Sequence, residues 1–171
     1  NAEPSKRLPT NRWLELSICS LKRDEINSIK IHTPKTDYDF VSRKGAPVDS
    51  TSATPPQSTW EQIAPARGTK LDDSKIRGIL GGIAGLRATG VADPVNRDKF
   101  GLPNSQYNIW ASDSLGKSIL IKFSDKINEA EDRYVANEGN PNLFLVNNSS
   151  FERFFVSPFE KPKEPPKPKT K

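Results

Sequence analysis

Trp60-Glu61-Gln62-Ile63-Ala64-Pro65, then Asp72-Asp73-Ser74-Lys75-Ile76-Arg77-Gly78-Ile79-Leu80-Gly81-Gly82-Ile83-Ala84-Gly85-Leu86-Arg87-Ala88, then Lys99-Phe100-Gly101-Leu102-Pro103 decide how this chain folds. The first piece reads as a strand that Pro65 and Gly68 terminate, with Trp60 as a structural residue. In the second, Ile76, Ile79, Leu80, Ile83 and Leu86 recur at helical spacing and make one apolar face. Asp72 or Asp73 supplies a carboxylate for the orphan amides of the first turn. The spacing predicts an amphipathic helix over Asp73–Ala88. Four glycines lie inside that range: Gly78, Gly81, Gly82 and Gly85. Each costs about 1 kcal/mol relative to alanine, roughly 4 kcal/mol together. Packing must offset that cost, so we expect the helix backbone to press closely on a sheet or another backbone.

Strand-like runs lie on both sides. Before the helix, residues 13–20 alternate, with Leu14, Leu16 and Ile18 on one face and Cys19 on the other. This places Cys19 as a half-exposed or second-layer thiol. Residues 26–32 and 38–43 read as a hairpin around Pro34-Lys35-Thr36-Asp37. Residues 45–58 are Pro/Ser/Thr-rich without period and read as an exposed loop. After the helix, 107–112, 118–123, 133–137 and 142–146 read as an antiparallel meander with small polar turns. Ser149 or Ser150 would cap a short last helix bearing Phe151, Phe154 and Phe155. Strands and helices come in blocks without alternating, which favours an α+β fold: antiparallel meanders on both sides of one central amphipathic helix. The expected organisation is a lead-in over 1–12, one domain over 13–157 and a Pro/Lys-rich tail over 158–171.

Charge narrows the function classes. The net charge is +5, but Lys161, Lys163, Lys167, Lys169 and Lys171 against Glu160 and Glu164 put +3 of it in the tail. A nucleic-acid surface needs clustered cations on a folded face, so no nucleic-acid partner is expected. No apolar run approaches the roughly 20 residues that span a bilayer. The chain begins at Asn1 and has 0 methionines. We therefore expect an upstream segment, a signal peptide or a membrane anchor, and membrane contact only through it.

Candidate chemistry is sparse. Gly78-x-x-Gly81-Gly82-x-x-Gly85 fits neither dinucleotide nor phosphate-loop patterns. His32 is the only histidine and has no Gly-x-Ser-x-Gly elbow to serve, which argues against a nucleophilic triad. Cys19 is alone, and no Cys/His set has metal-ligand spacing, so neither metal nor cofactor is expected. Asp37 with Asp39, and the group Asp125, Glu129, Glu131, Asp132, are the carboxylates available for acid–base hydrolysis; the second group lacks the order of a calcium loop. Aromatics are the stronger lead. In 107–112, Tyr107, Ile109 and Ala111 share one face, while Trp110 lies with Asn108 and Ser112 on the other. Trp110, Tyr107, Phe151, Phe154 and Phe155 are the candidate binding residues.

A resemblance rests on these same residues. The strand pair around Ile29 and Phe40, then Trp60 and Pro65, the Asp-initiated helix with Ile79-Leu80, Ile83 and Leu86-Arg87-Ala88, Phe100-Gly101-Leu102, and the strands of Tyr107, Arg133-Tyr134-Val135 and Leu143-Phe144-Leu145-Val146 follow in order. Together, over about residues 13–155, they resemble the bacterial domain-of-unknown-function 4340 family. Gly101 belongs to that motif set. The resemblance implies a periplasmic, membrane-tethered accessory of ABC-type exporters or gliding-motility-type components, with protein partners and no catalytic residues. The expected function is a non-catalytic extracytoplasmic interaction module. The alternative is a glycan- or envelope-polymer-binding domain using Trp110 and Tyr107, and after it a carboxylate-based hydrolase. A flat apolar patch fits the first; a concave groove lined by Trp110 and carboxylates favours the others.

Overall fold

The computed structural model describes residues 16–44, 58–65 and 71–155. The lead-in, residues 45–57 of the expected loop, and the tail lie outside the described residues.

Alternation dictates the strands. In β1 (Ile26–His32), Ile29 and Ile31 are buried while Lys30 and His32 are exposed. In β5 (Tyr107–Asp113), Ile109 and Ala111 are fully buried and their neighbours are not. With β2 (Asp37–Lys44), β3 (Ser58–Ala64), β4 (Gly90–Ala92), β6 (Ser118–Lys126), β7 (Arg133–Asn137) and β8 (Leu143–Val146), they form one 8-stranded sheet. Its order is β3-β2-β1-β5-β6-β7-β8-β4, and every pairing is antiparallel. The two blocks of strands are therefore one sheet, joined where β1 pairs with β5.

Helix α1 (Asp73–Ala84) follows β3. The Asp72 carboxylate accepts from the Ser74 and Lys75 amides at 3.0 and 3.3 Å. Ile76, Ile79, Leu80 and Ile83 bury their side chains in a core shared with Ile29, Phe40, Ile109 and Ile121 of the sheet. Twelve residues make a helix of about 18 Å. Eight strands at their usual spacing span about 34 Å. One helix cannot cover that face. The segment Ile18–Leu21, helix α2 (Asn148–Glu152) and the turn after it complete the cover through Ile18, Leu21, Phe151 and Phe154.

Several expectations need correction. The main helix stops at Ala84, and Gly85 is its C-cap. Leu86 and Ala88 continue the apolar spacing in extended chain: the Ile18 amide donates to the Leu86 carbonyl at 3.0 Å, and the Ala88 amide to the Leu16 carbonyl at 2.8 Å. Residues 16–20 hold only the isolated bridge Ser17–Arg87, and both Ile18 and Cys19 are buried. The close-packing account of the glycines holds against another element at Gly82 alone. A Cβ there would lie 2.8 Å from Phe154 Cε1. Gly78 and Gly81 meet nothing within 4 Å, and a Cβ on Gly85 would meet the Gly81 carbonyl of its own helix. The cap of α2 is Asn147, whose side chain accepts from the Ser150 amide at 3.0 Å; neither Ser149 nor Ser150 fills that place.

Among the described residues, the opposite face of the sheet is covered at one end only. Leu102 packs on Ala136 and Leu143, with Ala92 and Tyr134 at the margin. Phe100 meets Tyr134 edge-on, with ring centroids 5.6 Å apart. Gly101 makes this crossing possible: its φ is +71°, and a Cβ would lie 2.8 Å from an Asp125 carboxylate oxygen. The Asp125 amide donates to the Phe100 carbonyl at 2.7 Å and fastens the segment to β6.

Candidate functional site

Pairing across β3, β2, β1, β5 and β6 sets Ala64, Asp39, Lys30, Trp110 and Leu120 side by side in one row. The adjacent row on the same face holds Asp37, His32, Asn108 and Lys122. All lie on the face turned away from α1, since their strand neighbours Ile29, Ile31, Ile109 and Ile121 fill the core. Between these rows lies a trough of about 340 Å³ lined by Lys30, His32, Asp39, Asn108, Trp110 and Leu120, among others.

The trough is ordered by one ion pair and one histidine–carboxylate hydrogen bond. Lys30 Nζ is 3.4 Å from an Asp39 carboxylate oxygen and 5.5 Å from the centre of the Trp110 ring. An ammonium over an indole face is attracted by the ring quadrupole. His32 Nδ1 lies 2.5 Å from Asp37 Oδ1. The second oxygen of Asp39 and the side-chain oxygen of Asn108 are buried acceptors with no hydrogen-bond partner. Such orphans are uncommon and costly, of order 1–3 kcal/mol each.

Structure separates the candidate binding residues into two sets. Trp110 faces the trough. Tyr107, in the same strand, faces the other way, its ring edge-on to Phe151 and Phe155 at 5.0 and 5.1 Å. One site built from Trp110 and Tyr107 together is therefore excluded by the alternation of β5. Phe151 and Phe154 are 7% and 1% exposed and close the core beneath α2, so they offer no surface to a partner. Phe155 is partly buried in the same cluster. Arg133 is buried among these rings, its guanidinium 3.7 Å from the centre of Phe151, with a 2.7 Å hydrogen bond to the Ser124 carbonyl. Desolvation lowers its pKa.

The other candidates do not converge. Glu131 pairs with Lys126, and Asp132 accepts from the Asn128 side chain. No group of three or more His, Cys, Asp or Glu side chains suited to a metal exists among the described residues. Trp60 packs against the core and serves structure. Cys19 lines a larger cavity of about 610 Å³ between Ser17–Ser20, Lys117–Ile119 and Asn137–Asn140. That cavity has no aromatic wall. Its most buried polar side chain, Asn137, donates to the Ile18 carbonyl at 2.7 Å and so ties the N-terminal segment to the sheet. Cys19 itself is 6% exposed, and burial pushes its thiol pKa up. A reactive thiol needs the reverse. Asn137 Oδ1 is itself a buried acceptor without a partner, but the smaller trough is the better candidate because it alone of the two joins such acceptors to an aromatic plate.

Lys30 and Asp39 were not singled out as a pair from the sequence. Alternation marks Lys30 as outward, but only the β2-β1-β5 register brings it beside Asp39 and Trp110. No protein family, curated protein or solved structure matches the chain.

Proposed function

We propose that this chain is a non-catalytic binding module whose contact point is the outer trough around Trp110. The observation that carries this reading is the trough's concavity: an indole plate, flanked by partnered polar side chains and unfilled acceptors, on a sheet face that neither helix covers. A volume of about 340 Å³ sits at the small end of ligand pockets, which run from about 300 to 1,000 Å³. It favours a small ligand, or one unit of a polymer, over a flat protein contact. The non-catalytic part rests on the family resemblance, which carries no catalytic residues; the carboxylates that line the trough, Asp39 and Asp37, are partnered by Lys30 and His32. The placement in a periplasmic exporter or envelope assembly rests on the family resemblance alone.

The test is retention. The immobilised full chain and its Trp110→Ala variant are offered native envelope fractions, separated into protein and polymer. Retention from either fraction should fall at least tenfold in the variant. Equal retention by both chains, or none by either, overturns the proposal.

A further inference from the structure

We infer that the trough takes one neutral pyranose ring, free or as a unit of a glycan. This rests on the reading of the trough as the binding site and specifies what fills it. Three observations converge. First, the polar side chains at the trough are already partnered inside the protein: the Lys30 ammonium with the Asp39 carboxylate, and the His32 ring hydrogen-bonded to Asp37. A neutral ligand brings no charge of its own to compete with either pair. Second, the unfilled groups are acceptors, Asp39 Oδ1 and Asn108 Oδ1. They call for an occupant that donates, as hydroxyls do. Both oxygens are shielded from solvent, so the occupant reaches them only as side chains lining the trough shift. Third, the floor is a flat indole. A pyranose has an apolar C–H face and a hydroxyl edge, which match an aromatic plate bordered by hydrogen-bonding groups. Peptide side chains fit less well. Lys and Arg meet Lys30, Asp and Glu meet Asp39, and apolar side chains leave both acceptors unfilled.

Titration calorimetry on the full chain tests this with methyl glycosides of glucose, galactose, mannose and N-acetylglucosamine, with glucuronate and glucosamine as charged counterparts. At least one neutral glycoside should bind saturably and more tightly than both charged sugars. Trp110→Ala should weaken it at least tenfold. Asn108→Ala should weaken it several-fold while leaving the melting temperature of the unliganded chain within a few degrees. Binding that prefers glucuronate or glucosamine, binding indifferent to Trp110→Ala, or no binding of any sugar overturns the inference. The two readings fail separately. Silent sugars together with Trp110-dependent retention of an envelope protein overturn the pyranose and keep the site. Loss of Trp110 dependence in both experiments overturns both.

Discussion

The glycines do not share one reason. Gly78 and Gly81 occupy helical backbone beside open space, so alanine there gains propensity and meets no obstacle. Gly78→Ala and Gly81→Ala should each raise stability by about 0.5–1 kcal/mol in denaturant titrations. Gly82→Ala should lower it, because its methyl would intrude on Phe154. Gly101→Ala should cost more than about 1 kcal/mol, combining left-handed backbone with a collision at Asp125. At the same scale, Cys19 sets a dependence on pH. Burial is the largest influence and raises its thiol above the ordinary 9.0, with the Leu21 backbone and Lys117 pulling the other way. The unfolded chain therefore ionises first. The stability this thiol lends is complete below its unfolded pKa and is lost as pH rises through the folded value. Alkaline melting curves of Cys19→Ala should show a shallower decline than wild type.

At the scale of elements, caps and docking decide which helices persist. Asp72→Ala removes the acceptor for two amides of α1 and should cost about 1 kcal/mol, seen as a lower denaturation midpoint with an unchanged slope. Helix α2 is only five residues long and has no independent stability. It is held by Phe151 and Phe154 beneath it. Phe154→Ala should therefore cost about 3–5 kcal/mol, far beyond what so short a helix contributes by itself. Most elements were legible because alternation or helical spacing ran long enough. The helix end was misread because Leu86 and Ala88 prolong the apolar spacing after the backbone has become extended. Strand β4 was missed because Gly90-Val91-Ala92 is too short to show any period. The outward aim of Trp110 was legible in Asn108-Ile109-Trp110-Ala111. Its company was not, because a strand's alternation says which face a residue takes and nothing about which strand lies alongside.

For the whole molecule, strand order is what local sequence hides. β1 pairs with β2 across a short turn but also with β5, where Ile29 meets Ala111 and Ile31 meets Ile109. β4, next after the helix, pairs with β8 at the far edge. Such non-local pairings carry loop-closure cost and favour slow folding. The same order makes the outer face a shared product of both halves of the chain. Asp39 and Lys30 come from before the helix, Asn108 and Trp110 from after it. A trough variant and a seam variant should therefore couple. In a double-mutant cycle, Trp110→Ala and Lys30→Ala should show non-additive stability changes, as expected for side chains in direct contact.

That seam gives an occupant a structural role. Proteins open in cooperative units, and an opening along the β1–β5 boundary, the plane where two sequence-local strand groups meet, would split the trough. Because the trough straddles this plane, an occupant must leave, or hold the plane shut, each time the halves part. Occupancy would register in amide hydrogen exchange: the amides of Lys30 and Trp110 would slow together, by the factor the ligand's mass action sets, while those of the distant β8–β4 pair would keep their own pace. The occupant would thus act as a strap across the middle of the sheet, tying together halves that the sequence sets on either side of a helix.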